Sequence, residues 1–274
     1  MQKVIDFHTH IFPDKIAEKT IEFLSQKANI PAYSDGTLGG LRARLQAADV
    51  TLGVALPVLT KPQSFESILR FACSVNEGYF SGEHNIYSFA GMHPDCEDVE
   101  EKAAQIKAAG IKGIKIHPEY QQTYIDDSRY VRILNAAIDN DLIVVTHSGV
   151  DVGYTSVHCS PERIVRALDS LKGEIKLVLA HMGACQMYDE TYELLAGRNV
   201  YFDTAYVLRD MGEETFMRLV EKHGADKVLF ASDSPWQDIG QMKTALKNMP
   251  LSAKDKEKIL YENAVALLGE DVCR

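Results

Sequence analysis

Short apolar runs rich in β-branched residues recur along the chain. Longer segments with apolar residues at three- and four-residue spacing separate them. Eight such runs stand at 4–8, 51–56, 86–92, 113–117, 142–147, 176–181, 200–203 and 228–233. Most are nearly continuous in apolar character, as in Leu142-Ile143-Val144-Val145 and Leu177-Val178-Leu179-Ala180. A strand with one wet face alternates apolar and polar positions, whereas a strand covered on both faces does not, so these runs predict parallel strands. Between them the spacing predicts helices over 99–109, 127–140, 161–171 and 213–223, each with a charged face opposite an apolar stripe, and a further helix over 39–49. Ser160 followed by Pro161 supplies a cap and a first-turn residue for the third of these.

Eight strand–helix repeats predict an α/β fold of the (β/α)8 TIM-barrel type, one domain over 1–274, with an extra C-terminal helix over 253–268 packed outside and exposed enough to leave room for a homodimer. An open doubly wound sheet is the alternative, but no GxGxxG follows the first strand, where a dinucleotide fold places its phosphate loop.

Composition narrows the function classes. The net charge of -10 repels phosphate backbones and anionic lipid, so neither a nucleic acid nor a membrane is expected as a partner. The five cysteines are scattered, odd in number and without CxxC spacing, which speaks against a disulfide framework and for a reducing compartment. The chain enters its first strand with no leader-like apolar stretch before it, and no apolar run reaches the roughly 18 residues of a membrane span. A cytoplasmic enzyme acting on a small molecule is the resulting expectation.

The chemistry collects at strand ends. His8 and His10 close the first run, His117 the fourth, His147 the fifth, His181 the sixth and Asp233 the eighth, while His93 follows the third. In a parallel barrel these ends meet on one face, the face that carries active sites in barrel enzymes. His8 and His10 are two residues apart, so on an extended strand both point to the same side and can grip one ion. His147 and Asp233 then complete a mixed nitrogen and oxygen shell of a kind that zinc, manganese or iron accepts. Lys115 and His117 share a parity on the fourth strand, with Glu119 just beyond, and together with His93 they are candidates for a second metal or for substrate contact. Tyr206 and Arg209 follow the seventh strand, where an arginine can meet a substrate carboxylate through a bidentate pair.

His8-Thr9-His10, His147, Ala180-His181-Met182-Gly183, Ser232-Asp233-Ser234-Pro235 and Glu262-Asn263-Ala264, in this order and at these strands, resemble the amidohydrolase superfamily in its amidohydrolase-related branch, which includes hydrolases and metal-dependent non-oxidative decarboxylases. The resemblance implies a single divalent metal, usually zinc, on His8, His10, His147 and Asp233, with His181 as the catalytic histidine. In binuclear members a carboxylated lysine or a glutamate at strand four bridges two ions, which is the place of Lys115, His117 and Glu119 here. The main expectation is hydrolysis of an ester, lactone or amide bond by metal-activated water, with Asp233 taking the proton and His181 stabilising the oxyanion or protonating the leaving group. Decarboxylation of an unsaturated or aromatic acid by the same residues is the alternative, and a barrel that holds metal without turnover is the third reading.

Overall fold

The computed structural model describes the backbone of residues 2–273 and, except at Arg209, their side chains. Nine strand segments form eight parallel staves: β1 (Ile5–Thr9), β2 (Leu52–Ala55), β3 (Ile86–Ser88) with β4 (Ala90–Gly91) as one interrupted stave, β5 (Gly113–Ile116), β6 (Ile143–Thr146), β7 (Lys176–Leu179), β8 (Tyr201–Asp203) and β9 (Val228–Leu229). The ladders run β1-β2-β3 and β4 through β9 in sequence order. Closure between the first and last staves comes from Phe7 N to Phe230 O at 2.9 Å, Asp233 N to His8 O at 2.9 Å and His10 N to Ser234 O at 2.6 Å. The barrel expected from the eight-fold repeat is therefore the fold observed.

Helices fill the connections: α1 (Asp14–Ala28), α2 (Leu38–Ala47), α3 (Phe65–Ser81), α4 (Val99–Ala108), α5 (Ser128–Asp139), α6 (Pro161–Asp169), α7 (Tyr188–Leu194), α8 (Glu213–His223) and α9 (Ile239–Asn248). The helices anticipated over 39–49, 99–109, 127–140, 161–171 and 213–223 are present within about two residues at each end. α1, α3, α7 and α9 go beyond that set. α1 buries only Ala17 and leaves Ile16 and Phe23 exposed, so its apolar stripe is weak.

The C-terminal segment departs from the single outer helix expected. It runs as α10 (Ala253–Glu257), a π-helical turn (Lys258–Glu262) and α11 (Asn263–Leu268). Ala264, Leu267, Leu268 and Val272 join the cluster inside the barrel formed by Phe7, Val54, Tyr87, Phe89, Val145, Val178 and Leu229. The segment thus stops the barrel end opposite the strand C-termini, because its apolar face covers residues that water would otherwise reach.

Alternation along the staves sends Ile114, Ile116, Val144, Leu177 and Leu179 outward to the helices, and Lys115 and His117 inward. β1 is the exception. Its pairing with β2 matches Asp6 to Gly53 but Thr9 to Ala55, so one extra residue sits in β1. Such a bulge reverses which side chains face the axis beyond it. Ile5 and Phe7 are inside before the bulge, and His8 and His10 are inside after it.

Gly149, just past β6, has φ +82°, and a Cβ there would lie 2.2 Å from Cys185 N, the residue with which it forms an isolated bridge. Gly149→Ala is expected to cost about 3 kcal/mol through strain and overpacking combined. Thermal unfolding should show a clear drop in midpoint; an unchanged midpoint would contradict so close an approach.

Candidate metal centre

β1 and the tail of β9 bring His8, His10 and Asp233 together. Asp233 Oδ1 lies 3.1 Å from His10 Nε2 and 3.4 Å from His8 Nε2, and the two Nε2 atoms are 3.2 Å apart. The far sides of the rings settle their protons. His10 Nδ1 faces Leu56 O at 2.9 Å, and a carbonyl only accepts, so Nδ1 carries the hydrogen. His8 Nδ1 donates to Asp203 Oδ2 at 2.8 Å. The two Nε2 atoms therefore face the same point as a carboxylate oxygen. Three converging lone pairs repel unless a cation or donor lies among them, and this donor set fits a divalent metal. The group is compact, with its ligand atoms all within 4.8 Å of one another.

Lys115 supplies positive charge beside it. Its Nζ is buried and donates to His8 Nε2 at 3.0 Å. Burial pulls the Lys115 ammonium down to about 8, against the opposing charges of Asp203 and Asp233. Burial, followed by the Lys115 charge, holds His8 well below the usual histidine range, so the ring is neutral at pH 7. For Asp233 burial pushes upward, but His8, His10 and His181 outweigh it and hold the carboxyl at about 2.

His181 is fixed as firmly. Its Nδ1 donates to Ala205 O at 2.9 Å, and its Nε2 lies 3.0 Å from His147 Nδ1. Its backbone N–H donates to Asp203 Oδ1 at 2.9 Å. His181 and Asp233 both adopt left-handed backbone, with φ of 63° and 67°. Outside glycine this conformation costs of order 1 kcal/mol or more and gathers at functional sites, where surrounding bonds enforce it. Asp203 and the His8 carbonyl provide those bonds here.

The contact continues to His147, whose Nδ1 is the atom that meets His181. His147 also belongs to a second group with His117 and Asp151, again with ligand atoms within 4.8 Å of one another. Sequence reasoning put His147 in one shell with His8, His10 and Asp233; in the structure its Nδ1 lies 3.0 Å from His181 Nε2. Glu119 also turns here, its Oε2 3.8 Å from His147 Nε2. Burial raises Glu119 to about 7 and, with the same leading cause, pushes Asp151 up. Burial, then the His147 charge, lowers His117; burial, then the His181 charge, lowers His147.

The remaining candidates divide. Tyr206 is half buried on the same face, with its backbone N–H on Ser232 O at 3.2 Å. The Arg209 side chain lies outside the described residues. His93 belongs to neither metal-ligand group: its Nδ1 accepts from Asp95 N at 3.1 Å, so it serves the turn after β4. Three acidic residues escaped the sequence reading, Asp151 in the loop after β6 among them. Asp6 accepts from Ser232 Oγ at 2.6 Å and Ser232 N at 2.9 Å, tying β1 to the tail that presents Asp233. Asp203 serves His8 and His181 at once; its place at the end of an apolar run was the available signal.

Asp203→Asn retains one oxygen but turns an amide donor towards His8 Nδ1 or loses that contact. The His8 tautomer then reverses and its Nε2 lone pair is lost. Metal affinity is expected to fall about 10- to 100-fold, measurable by competition with a chelating dye.

None of the curated proteins matches the chain by sequence. Among solved structures it is similar over 99% of its length to the whole of an uncharacterized TIM-barrel protein from Bordetella bronchiseptica, at 18% identity and a TM-score of 0.77. A dihydroxybenzoic acid decarboxylase from a Polaromonas species, solved with bound manganese and the inhibitor 2-nitroresorcinol, shares 16% identity over 100% of this chain and 98% of that one, with a TM-score of 0.70. A putative 2-pyrone-4,6-dicarboxylic acid hydrolase from Pseudomonas putida shares 18% identity over 98% of both chains, with a TM-score of 0.67. These likenesses establish the shared barrel. The sequence profile of the Amidohydrolase family matches residues 5–269, nearly the whole chain, which therefore belongs to that family.

Proposed function

We propose that this enzyme is a metal-dependent hydrolase that cleaves a small-molecule ester, lactone or amide bond. The observation that carries the reading is the convergence of His8 Nε2 and His10 Nε2 on Asp233 Oδ1. His8, His10 and Asp233 would hold the ion, with zinc first by donor chemistry and manganese also compatible. A divalent cation there supplies Lewis acidity, which polarises a carbonyl and makes water more acidic. Asp233, ionised at neutral pH, accepts the proton of the attacking water. His181, with Nδ1 committed to Ala205 O, exchanges a proton with the leaving group through Nε2, the nitrogen that His147 Nδ1 contacts. Asp203 holds the rings of His8 and the backbone of His181 in place.

Decarboxylation is the second reading. One observation favours it: buried Lys115 offers a cation to a substrate carboxylate beside the same three ligands. The test is metal analysis of purified protein, followed by assay of stripped and zinc- or manganese-restored enzyme on a lactone, ester and amide panel and on aromatic acids scored for released CO2. Metal-dependent bond hydrolysis supports the main reading, and CO2 release alone moves it to the second. Bound metal with no turnover on either panel would count against both.

A further inference from the structure

α1 and the loop after β6 are rooted on opposite sides of the barrel and meet above it. The chain enters α1 directly from His10 and comes back at Tyr33, whose N–H donates to Pro235 O at 2.7 Å, just past Asp233. Phe12 N to Gly36 O at 2.8 Å closes the neck between the outgoing and the returning chain. The root of α1 therefore belongs to the first and eighth staves. Its far end does not. Lys27 Nζ, in the last turn, lies 3.6 Å from the centroid of the Tyr154 ring, in the loop after β6. β6 is the fifth of the eight staves, diametrically across from the first. A helix of 15 residues is about 22 Å long, enough to span the mouth, so α1 crosses over the face on which His8, His10 and Asp233 lie.

Little holds this span in place. Among the described residues, no hydrogen bond or ion pair joins residues 13–32 to another segment, and α1 buries only Ala17. Residues 152–157 likewise make no hydrogen bond to another segment among the described residues; their loop is pinned at its base, where Gly149 N donates to Cys159 O at 2.9 Å. Beneath the contact the rings are continuous, with Tyr154 5.6 Å from Tyr120 and Tyr120 stacked on His117 at 3.8 Å. The loops after β2, β4 and β5 differ. The buried Gln121 amide ties them together, its Nε2 donating to Leu59 O and Met92 O at 2.7 Å and its Oε1 accepting from His117 N at 3.1 Å. One side of the mouth is thus stitched by buried hydrogen bonds, and the other is closed by a cation–π contact and thin packing. Segments with so few buried bonds lie at the low end of local stability.

We propose that α1, with the loop after β6, is a lid over the metal-ligand group, hinged where Phe12 meets Gly36 and clasped by Lys27 on Tyr154, and that substrate and ion pass when the clasp opens. The lid serves hydrolysis and decarboxylation alike, since it governs only passage to the centre. An ammonium on an accessible ring holds weakly, so loss of the charge should shift the balance towards the open form by about two- to fivefold.

The test uses the full chain as wild type, as Lys27→Met, and as the double variant Ala28→Cys with Gly153→Cys. A Cβ on Gly153 would lie 3.9 Å from Ala28 Cβ, within the range of a disulfide, so oxidation should lock the lid and a reductant free it. Hydrogen exchange read by mass spectrometry should rise about two- to fivefold across 14–28 and 152–157 together in Lys27→Met, and fall below wild type in the oxidised double variant. Zinc-loaded protein mixed with a chelating dye should lose its zinc roughly tenfold more slowly when the double variant is oxidised than when it is reduced. Equal zinc loss in the two redox states, with the cross-link verified by mass, would overturn the lid. So would exchange in Lys27→Met that rises in one segment only or in neither. If wild type takes up no zinc, the metal-dependent reading of the centre fails, and the exchange measurement alone decides the lid.

Discussion

Asp233→Asn is expected to lower kcat by about a thousandfold or more while the protein still folds and retains part of its metal. The carboxylate has two tasks. Its Oδ1 faces both His8 Nε2 and His10 Nε2, and its charge makes it the proton acceptor of the proposed reaction. The amide keeps a neutral oxygen for the metal but accepts no proton at neutral pH. Because the carboxyl sits at about 2 in the folded protein, the wild-type activity should not be limited by protonation of Asp233 anywhere above about pH 4. Steady-state kinetics with metal analysis on the same preparation checks this. Wild-type turnover in the variant would remove Asp233 from the chemistry.

Lys115→Met should show the largest effect on stability, and one that depends on metal. Without an ion the Lys115 ammonium is a buried cation among Asp203, Asp233 and His8. Removing one partner of a buried charge group typically costs about 3 kcal/mol, since the remaining charges stay buried without compensation. A divalent ion on His8, His10 and Asp233 replaces that charge, so the loss should shrink in saturating zinc, where binding also stabilises the native state by mass action. Unfolding midpoints of wild type and variant, each with chelator and with zinc, provide the comparison. Equal losses in both conditions would mean that Lys115 does not answer to the ion.

Both variants probe features of unequal visibility in the sequence. His8, His10, His181 and Asp233 could be singled out because strand ends are recognisable from apolar runs, and a parallel barrel gathers those ends on one face. Asp6 could not be separated from the many acidic residues that solvate a surface, and for Asp203 the end of an apolar run was too weak a signal. Only their burial, and their bonds to His8, His181 and Ser232, reveal them. α1 escaped for a similar reason: it buries only Ala17, and so thin an inner stripe leaves a weak period.

By itself the sequence determined the repeat of strands and helices, hence the barrel, and the side of the barrel where histidines and Asp233 gather. Both follow from local patterns, apolar continuity and position at a run's end, which survive without knowledge of distant contacts. Tertiary structure alone decided the direction in which each ring faces. Two-residue spacing places His8 and His10 on a common side of β1 but does not say which side; the extra residue between Asp6 and Thr9 turns them inward after Ile5 and Phe7 have already pointed there. His147 likewise follows its strand as expected, and its ring is oriented by distant partners, with Nδ1 against His181, itself fixed by a carbonyl from after β8, and Nε2 3.8 Å from Glu119 Oε2. Tautomer and ring direction are set by partners far away in the chain, and no periodicity along the chain encodes them.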